Sequence, residues 1–86
     1  MQGDYVIVRA FGGVPLIRRV WEEDERGVYV TDDSHLERLL AGDPEIHPPL
    51  AGFPREDVFR YDAKLAASIE HPQRSEGWDW NQLTPY

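Results

Sequence analysis

Residues 4–31 read DYVIVRAFGGVPLIRRVWEEDERGVYVT, and this stretch decides the fold. Its two ends, residues 4–11 and 28–31, are rich in β-branched and aromatic side chains, which favour strands. The middle part, residues 16–22, alternates imperfectly between apolar and polar side chains. Gly12-Gly13 supplies the positive φ angles of a tight hairpin turn, and the charged loop after the second strand ends in another glycine. We therefore expect three strands joined by two short turns, an antiparallel meander.

The spacing of apolar residues changes to a helical period after the third strand. Leu36, Leu39 and Leu40 fall at i, i+3 and i+4, so they share one face of a helix. Residues 34–37 read SHLE and match the capping box, in which serine and glutamate side chains satisfy free backbone N–H groups. Gly42 is placed to stop this helix. We expect about two turns whose leucines pack on the sheet, because so short a helix is unstable alone.

The rest of the chain repeats the order of strand and helix. Residues 43–54 hold four prolines and predict a loop, whereas residues 57–61, DVFRY, predict a further strand. Asp62 is placed to cap a second helix over residues 63–70, and Pro72 ends that helix.

Chain length restricts the molecule to one small core. Of the 86 residues, 41% are hydrophobic, which suffices for a globular domain with a thin stability margin. We expect a single domain over residues 1–72 and an aromatic tail over residues 73–86. The tail contains Trp78, Trp80 and Tyr86. Three interpretations of it stay open: it packs back on the domain, it docks on a partner, or it is a disordered end.

The charge and composition exclude several classes of protein. A formal charge of −7 disfavours direct binding to DNA or RNA, because nucleic-acid binders neutralise phosphates with basic residues. Lys64 is the only lysine, and the eight arginines are scattered. Cysteine is absent, so disulfides and thiolate metal sites are excluded. Because no signal-peptide pattern or membrane-spanning apolar run occurs, we expect a cytoplasmic protein that does not enter a membrane.

Residues 52–59, GFPREDVF, resemble the closing turn of SH3-like barrels. In that family a proline opens a single 3₁₀ turn and a valine four residues later starts the last strand; Pro54 and Val58 match these positions. The resemblance implies an SH3-like, partly open barrel, although a helix is predicted where that family has a strand hairpin. Together with the two predicted helices and the aromatic C-terminal tail, the expected fold class is α+β, mainly β: an antiparallel meander or SH3-like partly open barrel. The family's ALYDY-type stretch and paired tryptophan are absent, so recognition of PxxP peptides does not carry over.

Residues 31–35, TDDSH, form the densest group of reactive side chains. Carboxylates beside an imidazole suit Zn²⁺ or Mn²⁺. A strand-to-helix junction explains every residue of the group except His35, because Asp and Ser cap free N–H groups there, and we prefer this interpretation. His47 and His71 match no ligand spacing, and no serine lies in a nucleophile elbow. We therefore expect no catalytic residue, no metal site and no cofactor.

The preferred hypothesis is a non-enzymatic protein-interaction module with an unidentified protein partner, because the chain has a surplus of aromatic residues. The expected contact residues are Trp21, Trp78, Trp80, Arg18 and Arg19. An alternative is an acidic mimic of nucleic acid that inhibits a DNA- or RNA-binding protein, which predicts carboxylates clustered on one face. The least favoured hypothesis is a small metal-dependent hydrolase that uses His35 with Asp32 or Asp33.

Overall fold

A computed structural model describes residues 1–69 and 79–86 of the chain. Its strands are β1 (Tyr5–Arg9), β2 (Pro15–Asp24), β3 (Gly27–Thr31), β4 (Gly52–Phe53) and β5 (Val58–Arg60), and its helices are α1 (Asp33–Leu40) and α2 (Ala63–Ile69). The strands form one open, antiparallel, five-stranded sheet in the order β4-β3-β2-β1-β5. The expectation of a small α+β protein with two short helices is therefore confirmed. Within the described residues, no helix is long and apolar enough to cross a bilayer.

The predicted meander of the first three strands is confirmed, with a longer central strand. We expected a charged loop after residue 22, but β2 continues to Asp24, which pairs with Gly27 of β3. The register shifts between Val20 and Glu22, which leaves Trp21 as an unpaired bulge residue. The acidic side chains at this end of β2, including Glu23, are thus held on an ordered strand.

Alternate residues of each strand point to opposite sides of the sheet, and both sides carry a cluster of apolar side chains. One face carries a cluster of valines from four strands: Val6, Val8, Val20, Val28, Val30 and Val58. The opposite face carries a second cluster, formed by Ile7, Phe59 and Leu83 and covered by Leu65, Ile69 and Trp80. The middle of β1 is consequently buried from both sides.

The first predicted helix is confirmed, but its predicted cap is wrong. The Asp32 carboxylate accepts a hydrogen bond from the His35 N–H at 2.8 Å, so Asp32 and not Ser34 is the N-cap. Ser34 lies inside the first turn and donates its hydroxyl to Asp32 at 3.2 Å. Leu36 is buried whereas Leu40 is mostly exposed, so the helix packs through a narrower face than its leucines predicted.

The segment that follows α1 agrees with the predicted closing turn. Pro54 precedes a single 3₁₀ turn, Arg55–Asp57, and Val58 begins β5. Asp62 caps α2 by accepting two backbone N–H groups of its first turn. The prediction of a loop over residues 43–54 missed β4, whose two residues pair with the edge of β3. Two residues are too few to show a strand period in the sequence.

The described part of the tail, residues 79–86, lies along the edge strand β5. Phe59 and Pro85 form an isolated antiparallel bridge, and the Arg60 N–H donates to the Thr84 carbonyl at 2.8 Å. The Leu83 side chain is only 7% exposed within the second core cluster. These residues therefore pack on the domain and extend its core.

Some predictions fall on residues outside the described part of the chain. They are the end of the second helix at residue 70 with Pro72 after it, the position of His71, and the position of Trp78.

Gly27 lies where the chain has no room for a side chain. Its φ is 154°, and a Cβ built there would approach the Phe53 carbonyl oxygen to 2.2 Å. We expect Gly27→Ala to lower the free energy of unfolding by about 3 kcal/mol, because β3 and β4 must separate. Gly13→Ala is the matched control, since Gly13 also has a positive φ but open space around it; we expect about 1 kcal/mol there. Equal losses in urea denaturation would contradict the close approach.

The tail yields a second prediction. Leu83→Ala removes a buried side chain, and we expect a loss of about 3 kcal/mol in the free energy of unfolding. Leu50→Ala is the control, because Leu50 is 93% exposed, and we expect a change within about 0.5 kcal/mol. A Leu83 variant as stable as the Leu50 variant would show that residues 79–86 do not contribute to the core.

Candidate functional site

A cavity of about 630 Å³ opens at the end of the sheet where β1 begins and β5 ends. Besides Met1, its lining consists of Asp4, Tyr5, Glu23, Arg60, Tyr61 and Tyr86. We call this cavity the tyrosine pocket. It gathers three aromatic rings and two carboxylates from the first strand pair, the end of β5 and the tail.

The N-terminal ammonium of Met1 lies in the tyrosine pocket. It donates to Asp4 Oδ2 at 2.8 Å, to Glu23 Oε2 at 3.1 Å and to the Tyr86 hydroxyl. Hydrogen bonding to Asp4 raises the pKa of the ammonium, and the same ammonium lowers the pKa of Asp4 and of Glu23. The pocket therefore binds a positive charge between two carboxylates that favour their ionised form.

Tyr86 forms the inner wall of the tyrosine pocket. Its ring packs against the valine cluster, and its N–H donates to the Val58 carbonyl at 3.1 Å. Its hydroxyl oxygen lies 3.0 Å from Asp4 Oδ2 and 3.3 Å from Glu23 Oε2. Burial, followed by the hydrogen bond to Asp4, raises the pKa of Tyr86. The phenol is therefore a neutral group that donates to a carboxylate and keeps a lone pair for another donor.

The outer wall is a stack of aromatic and cationic side chains. The Tyr5 and Tyr61 rings lie 5.4 Å apart between centroids, and the Arg19 guanidinium lies 4.3 Å from the Tyr5 centroid. Arg19 also donates to Asp33 Oδ1 at 2.8 Å and to the Gly3 carbonyl at 2.7 Å. The hydrogen bond from Arg19 to Asp33 lowers the pKa of the Asp33 carboxyl. Arg19 thus holds the Tyr5 ring in place through its guanidinium contact.

The predicted contact residues lie at separate places in the described structure. Arg19 supports the wall of the tyrosine pocket, whereas Arg18 is its strand neighbour, points to the opposite face and donates to the Ile17 carbonyl at 2.8 Å. Trp21 is the half-buried bulge of β2. Trp80 is half-buried and covers the second core cluster, with its ring 5.1 Å from that of Phe59.

The side chains of the TDDSH group are engaged in local contacts. Asp32 caps α1, Asp33 pairs with Arg19, and the His35 ring bonds to the His47 carbonyl through Nε2 at 2.8 Å. Among the described residues, no group of three or more histidine, aspartate or glutamate side chains is arranged to hold a metal ion.

The tyrosine pocket could not be recognised in the sequence. Its lining residues come from four distant parts of the chain, namely residues 1–5, Glu23, residues 60–61 and Tyr86, so no short motif contains the set. One local feature bears on the site: the sequence predicts a charged loop after residue 22, whereas β2 continues to Asp24 and carries Glu23 past the first residue of β1 towards Met1.

The lowered pKa values of Asp4 and Glu23 predict acid sensitivity. A carboxyl whose pKa is lowered by folding stabilises the folded state above its ordinary pKa, here 3.8 and 4.5, and loses that contribution as pH falls through the folded value. We therefore expect constant stability down to about pH 5 and a decline below about pH 4. Urea denaturation at a series of pH values measures this decline in stability, and Asp4→Asn should make it shallower. NMR titration of the two carboxyl carbons measures the pKa values directly, and pKa values at or above 3.8 for Asp4 and 4.5 for Glu23 would contradict the bound ammonium.

No protein-family model matches this chain, and no curated protein or solved structure is similar enough to count as a relative.

Proposed function

We propose that the protein is a non-enzymatic protein-interaction module that holds a positively charged segment of a partner protein in the tyrosine pocket. One observation carries this proposal: the pocket surrounds an ammonium group with two carboxylates and a tyrosine hydroxyl. Carboxylates and tyrosine rings are the side chains that attract lysine and arginine at protein interfaces.

The exposed rings of Tyr5 and Tyr61 support the proposal. They are 43% and 44% exposed, so each presents part of its face or edge to a partner without unfolding the core. Tyrosine is enriched among the residues that dominate binding energy at interfaces, because it buries a large area and loses little conformational entropy. Arg19 restricts the motion of Tyr5, which lowers the entropy lost on binding still further.

The net charge also supports a basic partner. At −7, the whole chain attracts positively charged segments over the distance of a Debye length and repels acidic ones. The same charge motivates the alternative of a nucleic-acid mimic. We prefer the basic protein segment because several carboxylates are already neutralised by arginine on separate elements; these pairs are Arg9–Asp57, Arg19–Asp33 and Arg38–Asp43.

We further infer that the sheet is coiled as an SH3-like, partly open barrel. The 3₁₀ turn at Arg55–Asp57 supports this inference, since it joins the two edge strands of the sheet at the position where the SH3-like family has its closing turn. A cytoplasmic location fits the lack of cysteine. Neither inference is needed for the pocket to bind a cation.

A titration with an unstructured peptide that carries lysine and arginine and no acidic residue tests the proposed function. We expect amide shifts in ¹⁵N-labelled protein to concentrate at Asp4, Tyr5 and Tyr61, and the affinity to fall as salt rises. Tyr61→Ala should weaken binding about tenfold, because it removes an exposed aromatic ring from the lining of the pocket.

Phe11→Ala is the matched control for the Tyr61 variant. The Phe11 ring is 101% exposed on the turn between β1 and β2, and it does not line the pocket. We expect this variant to bind like the unaltered protein. Equal loss in both variants, or shifts centred on residues away from the pocket, would contradict the proposed function.

A further inference from the structure

We propose that the tyrosine pocket is selective for a primary ammonium, and that the group it takes from a partner is a lysine side chain seated where the Met1 ammonium lies. This inference rests on the proposed function, and it adds the chemical identity of the cation.

The acceptors in the pocket form a tripod. Asp4 Oδ2 at 2.8 Å, Glu23 Oε2 at 3.1 Å and the Tyr86 hydroxyl each accept one hydrogen bond from the bound ammonium. They belong to three residues on three different parts of the chain. An ammonium has three donors that diverge from one nitrogen, so three acceptors around a single point match it.

A guanidinium fits this arrangement less well. Arginine favours two oxygens of one carboxylate, which it meets with two parallel N–H groups. Glu23 cannot offer both oxygens to a ligand, because its Oε1 accepts from Arg55 at 3.2 Å while its Oε2 faces the ammonium. Asp4 Oδ2 also lies within hydrogen-bonding distance of Tyr86. The three oxygens around the ammonium therefore belong to three separate side chains, and a guanidinium could form a bidentate pair only with Asp4.

The tripod is held in place before any partner arrives. Tyr86 is fixed by packing on the valine cluster and by its hydrogen bond to the Val58 carbonyl. Glu23 lies within β2, and its Oε1 is tied to Arg55. Because these groups are already ordered, a ligand gains their hydrogen bonds without the cost of arranging them.

The side chain of the present occupant adds little to its binding. The Met1 residue is 81% exposed, and its contacts are made by the ammonium and by its carbonyl, which accepts from the Asp4 N–H at 3.0 Å. A lysine side chain brings the same ammonium together with an apolar stem, and that stem has the exposed Tyr5 and Tyr61 rings to lie against. A cavity of about 630 Å³ leaves room for it. We expect a partner lysine to displace Met1.

Four peptides that are identical except for one central residue test the selectivity against the full chain. With lysine, arginine, acetyl-lysine and norleucine at that position, we expect lysine to bind about tenfold more tightly than arginine, and the two neutral residues to bind weakest. Acetylation of the protein's N-terminal amine should strengthen lysine binding, since it removes the competing ammonium.

Two conservative variants separate the tripod from the aromatic wall. Tyr86→Phe keeps the packed ring and removes the hydroxyl acceptor, so we expect the preference for lysine over arginine to shrink toward unity. Tyr61→Phe keeps the exposed ring, so the preference should persist. Thermal melts confirm that both variants are folded.

The outcomes distinguish this inference from the proposed function. If lysine and arginine peptides bind equally well in the pocket, the tripod inference is overturned while the interaction module stands. If neither peptide binds, both are overturned. If Tyr61→Phe abolishes the preference as fully as Tyr86→Phe does, the hydroxyl is not the discriminating group and the inference is wrong.

Discussion

The burial of β1 on both faces is the constraint on which the rest of the structure depends. Val6, Ile7 and Val8 are consecutive, so they point to alternate sides of the sheet, and all are fully buried. A single sheet of this size cannot cover both of its own faces. The chain therefore covers the Ile7 side with α2 and residues 79–86, whereas on the other side the valines pack with one another and with Leu16, Phe53 and Tyr86.

That requirement also creates the tyrosine pocket. Residues 79–86 lie along β5 so that Leu83 can reach the second cluster, and this course turns Tyr86 to the opposite face beside the valines. Its hydroxyl then meets Asp4 at the start of β1 and Glu23 near the end of β2. The site is therefore a consequence of how the core is completed, because Tyr86, one of its three acceptors, also packs against the valine cluster.

The sequence predicted features with a short period or a local chemical cause. The run of β-branched residues at Val6–Val8, the Pro54 turn and the Asp62 cap belong to this class. Features that depend on distant partners could not be predicted: β4 exists only because β3 pairs with it, and the Trp21 bulge follows from a shift in register. The cap of α1 failed for a different reason, since Asp32 and Ser34 offer competing acceptors and only the true start of the helix selects between them. The pocket could not be predicted from the sequence, because its lining residues come together only when the sheet forms.

The short edges of the sheet affect how the protein behaves at high concentration. An exposed strand edge is a template on which other chains add strands, and this is a common route to aggregation. Here one edge, β4, is two residues long and is followed by Pro54, which has no N–H to donate. The other edge, β5, has backbone groups bonded to Thr84 and Tyr86. Along the described part of β5, the tail that completes the pocket thus also occupies backbone groups that an added strand would need, which disfavours fibril growth at this edge.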